Sequence, residues 1–176
     1  RAGDVLIQVE ADVDSEYDYE LLGYITPKKM GQAYHCPVFN GLSKQTTSEQ
    51  LMDLGTQLNI HGIVPMFHVV GVTPEAADVH TAFLGRKDPP VVTITNEDLD
   101  QARAEISAGT GKADFCILGC PHLTINQVGS IAKMLDGQQL AGQLYIFTST
   151  STKENMQYSS LVLEREGFPK KIAVVT

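Results

Sequence analysis

The stretch Asp114-Phe115-Cys116-Ile117-Leu118-Gly119-Cys120-Pro121-His122-Leu123 is a short apolar run that ends in a glycine and then presents a thiol and an imidazole two residues apart. Phe115 to Leu118 is too short for a helix and lies between Gly111 and Gly119, so it reads as a strand covered on both faces, with Pro121 as its stop. Thr124 is followed by Gln127 at the spacing of a capping box, which predicts an amphipathic helix immediately afterwards. Cys120 and His122 then fall between the carboxyl end of a strand and the amino end of a helix, where open α/β sheets hold their ligands.

The same pattern recurs outward from this stretch. Ile63 to Val70 reads as a strand leading to Thr73-Pro74-Glu75, with Thr73 as cap, Pro74 at the first helical position and Glu75 at the positive helix end. Val91 to Thr95 leads to Asn96-Glu97-Asp98, and Leu144 to Phe147 leads to Ser151 with Glu154. Glycines at 85, 109, 137 and 167 lie where the four helices are expected to end. Strand and helix alternating at this spacing imply right-handed βαβ crossovers, hence an α/β fold with a mainly parallel sheet and helices on both faces.

The first third is less regular. Val5 to Val9 is an apolar strand, and the acidic run from Asp12 to Glu20 reads as a solvated turn. A helix over Glu20 to Met30 is weakened by Gly23 and Pro27. His35 to Phe39 reads as a short strand with Asn40-Gly41 as its turn. Thr47 and Gln50 form another capping box, followed by Leu51, Leu54 and Leu58 on one helical face.

With 176 residues and 43% hydrophobic content the chain can bury one sizeable core, and residues 1–176 are expected to form a single domain. A net charge of −8 and the absence of a Lys/Arg-rich run argue against nucleic acid. No apolar stretch has the length of a membrane span and the N-terminus lacks signal-peptide character, which points to a soluble, cytoplasmic protein. Cys36, Cys116 and Cys120 are an odd number, so thiol or metal chemistry is favoured over a disulfide framework. A start at Arg1, straight before a strand, and an end after Val175 predict a segment of a longer polypeptide.

Polar side chains gather at a strand end in three loops, His68–Glu75, Gly119–Thr124 and Thr148–Ser151, the first two with a glycine among them. Cys116 points with Leu118 into the packing and reads as a small buried hydrophobe. Cys120 lies past the strand end, where a thiolate is favoured and a metal can reach it, and it reads equally as a ligand or a plain loop cysteine. His122 either holds its loop through a backbone carbonyl or touches substrate. His68 reads as a satisfied core histidine and Cys36 as packing. The helix start at Thr73, with Gly71 and Glu75 beside it, would also suit a phosphate or carboxylate.

Phe67-His68-Val69-Val70-Gly71-Val72-Thr73-Pro74-Glu75-Ala76 and Leu118-Gly119-Cys120-Pro121-His122 together resemble the signatures of the aconitase X catalytic domain, in the family's order. Arg1-Ala2-Gly3, and Leu22-Gly23-Tyr24 ahead of Cys36-Pro37-Val38, are weaker echoes of it. The resemblance implies an internal segment of the large catalytic part of a hydro-lyase that uses an iron–sulfur cluster as Lewis acid. Its substrate would be a small hydroxy acid such as cis-3-hydroxy-L-proline, or 5-phosphomevalonate. By the same resemblance Cys120 would be one cluster ligand, His122 would shape its loop, and Gly71, Thr73 and Glu75 would face a small anionic substrate. The other cluster cysteines and a smaller swivelling domain or subunit would lie outside this segment, leaving it inactive alone, and no residue here is assigned as the base. The competing readings are an α/β module that binds an anion or metabolite without catalysis, and a structural metal module on Cys116, Cys120 and His122.

Overall fold

A computed structural model describes residues 1–31, 33–107, 109, 111, 113–136, 138, 140, 142–158 and 172–175. The chain forms two compact units, Arg1–Gly109 and Thr110–Thr176. This replaces the expectation of a single domain over 1–176. The reason is that the strands make two separate parallel sheets, each with its own apolar cluster, instead of one continuous sheet. The α/β class and the parallel strands are as expected.

In the first unit the order is β1 (Val5–Val9), α1 (Glu16–Met30), β2 (Pro37–Asn40), α2 (Ser48–Gly62), β3 (His68–Val69), α3 (Val79–Ala82), β4 (Val91–Ile94) and α4 (Asn96–Ile106). The sheet runs β3-β2-β1-β4. Val5, Ile7 and Val9 alternate along β1 onto one face, where they meet Phe39, Ile94 and the buried sides of α1, α2 and α4. Leu6 and Val38 point to the other face, against Ala82 and Phe83 of the α3 segment.

Local chemistry accounts for the helix starts. Thr47 caps α2 with Gln50 reciprocating, as read from the sequence. The acidic run is not a turn throughout: Ser15 Oγ accepts from Asp18 N, the Asp18 carboxylate accepts from Ser15 N, and α1 begins at Glu16. Gly23 does not weaken α1 but lets α2 approach, since a Cβ there would lie 2.7 Å from Leu54 O. Pro27 sits in the last turn of α1.

Two further expectations fail here. The strand from Ile63 is only His68–Val69, because α2 runs on to Gly62 and Ile63 closes it in the left-handed region. No helix starts at Thr73. The segment after β3 is a closed turn, and α3 starts at Val79 under the cap of Asp78, whose Oδ1 accepts from Thr81 N at 2.6 Å.

One buried carboxyl couples this unit to pH. Asp53 on α2 is 4% exposed, and burial together with the carboxylates of Glu20, Glu16 and Glu49 pushes its pKa up to about 7. The folded chain therefore holds a proton that the unfolded chain has already released between about pH 4 and pH 7, so stability is expected to fall as pH rises through that window. Glu20, raised by burial and by Glu16, acts in the same direction. Asp53→Asn should flatten the profile and stabilise the protein at about pH 8 by on the order of 1–2 kcal/mol, read by denaturant unfolding against pH. An unchanged slope in the variant would assign the pH dependence elsewhere.

In the second unit the order is β5 (Phe115–Leu123), α5 (Ile125–Leu135), β6 (Gln143–Thr148), α6 (Thr150–Tyr158) and β7 (Ile172–Val175), with the sheet running β5-β6-β7. Leu144, Ile146, Val128 and Met156 form its core, joined by Leu118 and Leu123. Thr124 and Gln127 cap α5 as expected. For α6 the capping oxygen is Ser149 Oγ, which accepts from Thr152 N, and not Ser151. Gly137 and Gly167 lie outside the described residues, whereas Gly85 and Gly109 follow α3 and α4 within three residues of their ends. Among the described residues no helix is long and apolar enough to cross a membrane.

Candidate functional site

The two stretches singled out in the sequence belong to different units. In the second unit β5 does not stop at Pro121 but continues to Leu123, because the register against β6 shifts between Leu118 and Leu123 and the strand rejoins its partner at Thr148. Thr148 Oγ1 donates to Leu123 O at 2.7 Å and anchors that end. The irregularity holds Gly119 at φ +120°, and the Cys120–Pro121 peptide is cis. Cys120 and His122 are both exposed, on the part of the strand that bulges from the regular ladder.

Cys116 is exposed as well, which corrects its expected burial. Among the described residues β5 is an edge strand with a neighbour on one side only, and its first residues are open: Phe115 and Ile117 are each 56% exposed. Cys36 is fully buried, and burial raises its thiol pKa, which suits packing and not nucleophilic or ligand chemistry. Among the described residues no group of three or more His, Cys, Asp or Glu could hold a metal ion. Cys120 contributes one exposed thiol. The described residues do not complete a ligand set around it, and a tetrahedral site on Cys116, Cys120 and His122 is not assembled.

In the first unit the stretch from His68 to Glu75 is tightly satisfied. His68 is 3% exposed and its Nε2 lies 2.9 Å from Arg1 O, the core histidine expected. Thr73 Oγ1 accepts from Val69 N at 3.0 Å and donates to Val69 O at 3.2 Å, so this hydroxyl closes the turn. Gly71 N donates to Ala76 O at 2.7 Å across it. Gly71 and Glu75 are exposed on the loop, with no helix terminus at Thr73 beside them. The anion site expected at a Thr73 helix start therefore has no helix behind it.

Elsewhere at the carboxyl end of this sheet, the strand order reverses between β1 and β4. There Asp12 N donates to Asn96 Oδ1 and Asn96 Nδ2 donates to Asp12 Oδ2, which ties the two loops together. Asn40 Nδ2 donates to Gln8 Oε1 at 2.9 Å between the ends of β1 and β2.

The model of the aconitase X second domain matches residues 3–104, and that of the third domain matches residues 113–169, which follows the division into two units. The chain belongs to the aconitase X family. It is 31% identical to the phosphomevalonate dehydratase large subunit of Thermococcus kodakarensis over 87% of this chain and 38% of that protein. It is 34% identical to the cis-3-hydroxy-L-proline dehydratase of Pseudomonas aeruginosa over 86% of this chain and 26% of that protein. The crystal structure of Thermococcus kodakaraensis aconitase X in its holo-form superposes with a TM-score of 0.85 at 26% identity, covering 99% of this chain and 43% of that one. The chain thus spans less than half the length of these relatives.

Proposed function

We propose that this aconitase X chain is the part of a hydro-lyase that supplies one cluster thiolate and part of the substrate-binding surface, with the remainder of the enzyme lying outside these residues. The observation that carries the reading is the exposed Cys120 thiol on the bulged end of β5, within the third domain of a family whose named relatives are dehydratases. The substrate class is a small hydroxy acid such as cis-3-hydroxy-L-proline, or 5-phosphomevalonate, as the names of the relatives suggest. A large-subunit relative implies a small subunit or domain as partner.

Dehydration removes hydroxide from one carbon and a proton from its neighbour. An iron–sulfur cluster supplies Lewis-acid activation of the leaving hydroxyl. The chain's own share is positional. The strand ladder to β6 and the Thr148–Leu123 bond hold Cys120 on a rigid base, while its exposure leaves the thiolate accessible to a group carried by another domain. His122, two residues on and exposed, is available to shape the loop or to bond substrate.

The test reconstitutes the full-length parent and residues 1–176 with iron and sulfide under anaerobic conditions and assays both substrates. The parent should bind iron and dehydrate one of them, and the segment should do neither, since one thiolate is too few to hold a cluster. Absence of turnover in the loaded parent with its small subunit would favour the alternative, a module that binds an anion or metabolite without chemistry.

A further inference from the structure

Lys44 is the one lysine or arginine between residues 30 and 85 of a chain whose net charge is −8. In the first unit Arg1, Lys28, Lys29 and Arg103 sit in ion pairs with Asp4, Glu105, Asp98, Asp18 and Asp100. Arg86 and Lys87 lie between α3 and β4, at the amino end of the sheet. Lys44 lies in the loop after β2, at the carboxyl end, and has no ion pair among the described residues. Its position is defined by the neighbouring loop. Gly71, just past β3, adopts φ +76°, and a Cβ there would meet Lys44 Cε at 3.4 Å, Cγ at 3.6 Å and Cδ at 3.8 Å. The lysine stem therefore lies along the Gly71 turn, and the missing side chain makes that path open.

Polar groups at this end of the sheet are already engaged: Thr73 closes its own turn, Asp12 and Asn96 bond each other, and Asn40 bonds Gln8. An uncommitted ammonium laid across a glycine turn at the strand ends, in an acidic protein, attracts an anion.

We propose that Lys44 binds the anionic group of the substrate, a carboxylate or a phosphate, over the Gly71 turn. This deepens the dehydratase reading and rests on it for the identity of the substrate. Lys44→Met and Lys44→Arg are made in the full-length parent with its small subunit. Binding of inorganic phosphate and of acetate is titrated by NMR line broadening, alongside KM and kcat for 5-phosphomevalonate and cis-3-hydroxy-L-proline. Lys44→Met should weaken binding of one anion at least about 10-fold and raise KM similarly with kcat within about 3-fold, and Lys44→Arg should restore most of the loss. Loss for phosphate alone assigns the phosphate; loss for both ions assigns any anion, the carboxylate included. Unchanged binding and KM in Lys44→Met overturn the inference, and so does a lowered unfolding midpoint with unchanged binding, which would make Lys44 structural. Turnover by a parent indifferent to Lys44 removes this inference only, whereas Lys44-dependent phosphate binding in a parent without turnover removes only the dehydratase reading.

Discussion

Cys120→Ser in the full-length parent is expected to lose bound iron and dehydratase turnover together, each by at least about 100-fold, since even groups that merely orient a metal ligand cost 10–100-fold when removed. Serine is close to cysteine in size, and Cys120 is exposed, so the fold should tolerate the change. Iron content and the visible absorption of the cluster read the effect independently of turnover. The matched control is Cys116→Ser. Its thiol is exposed on an edge strand, so the substitution should cost under about 0.5 kcal/mol and leave iron and activity in place. A parent that keeps full iron and activity without the Cys120 thiol would remove this residue from the mechanism, and equal losses in both variants would point to damage of β5 in general.

Gly119→Ala is expected to have the largest effect on stability. The residue sits at φ +120°, a backbone conformation that L side chains rarely adopt. A Cβ would also lie 2.3 Å from Phe147 O and 2.8 Å from Phe147 Cβ, so it would drive into the backbone of the adjacent strand β6. Backbone cannot swing aside as a flexible side chain can, and relief requires β5 and β6 to separate where the register already shifts. The cost should be about 3 kcal/mol or more, read as a lowered denaturation midpoint, with faster amide exchange along β5 and β6. Gly129→Ala on α5 is the control: nothing lies within 4 Å of its added Cβ, and better helix propensity should stabilise by up to about 1 kcal/mol. A Gly119→Ala protein as stable as the parent would mean that the bulge is not held in this conformation.

Residues 1–176 determine a good deal locally. Capping boxes depend on side chains three residues apart, so Thr47–Gln50 and Thr124–Gln127 announce α2 and α5 without reference to anything distant. The buried alternation of Val5, Ile7 and Val9 is equally local, and so is the alternation of strand with helix that dictates a parallel α/β fold. The motifs Phe67–Ala76 and Leu118–His122 together mark the family. Tertiary structure decided what depends on partners far away in the chain. Apolar strands look alike whichever neighbours they pair with, so the division into sheets of four and three strands became visible only through pairing. Cys116 and Cys120 sit in the same kind of sequence, yet the exposure of Cys116 follows from an edge position set by which strand lies beside β5. Thr73-Pro74-Glu75 has the composition of a helix start, but Thr73 is drawn back to Val69 and the turn closes before any helix begins. Gly23 resembles a helix breaker until Leu54 of α2 is laid against it, and Lys44 is an ordinary loop lysine until Gly71, 27 residues on, is found beneath its stem.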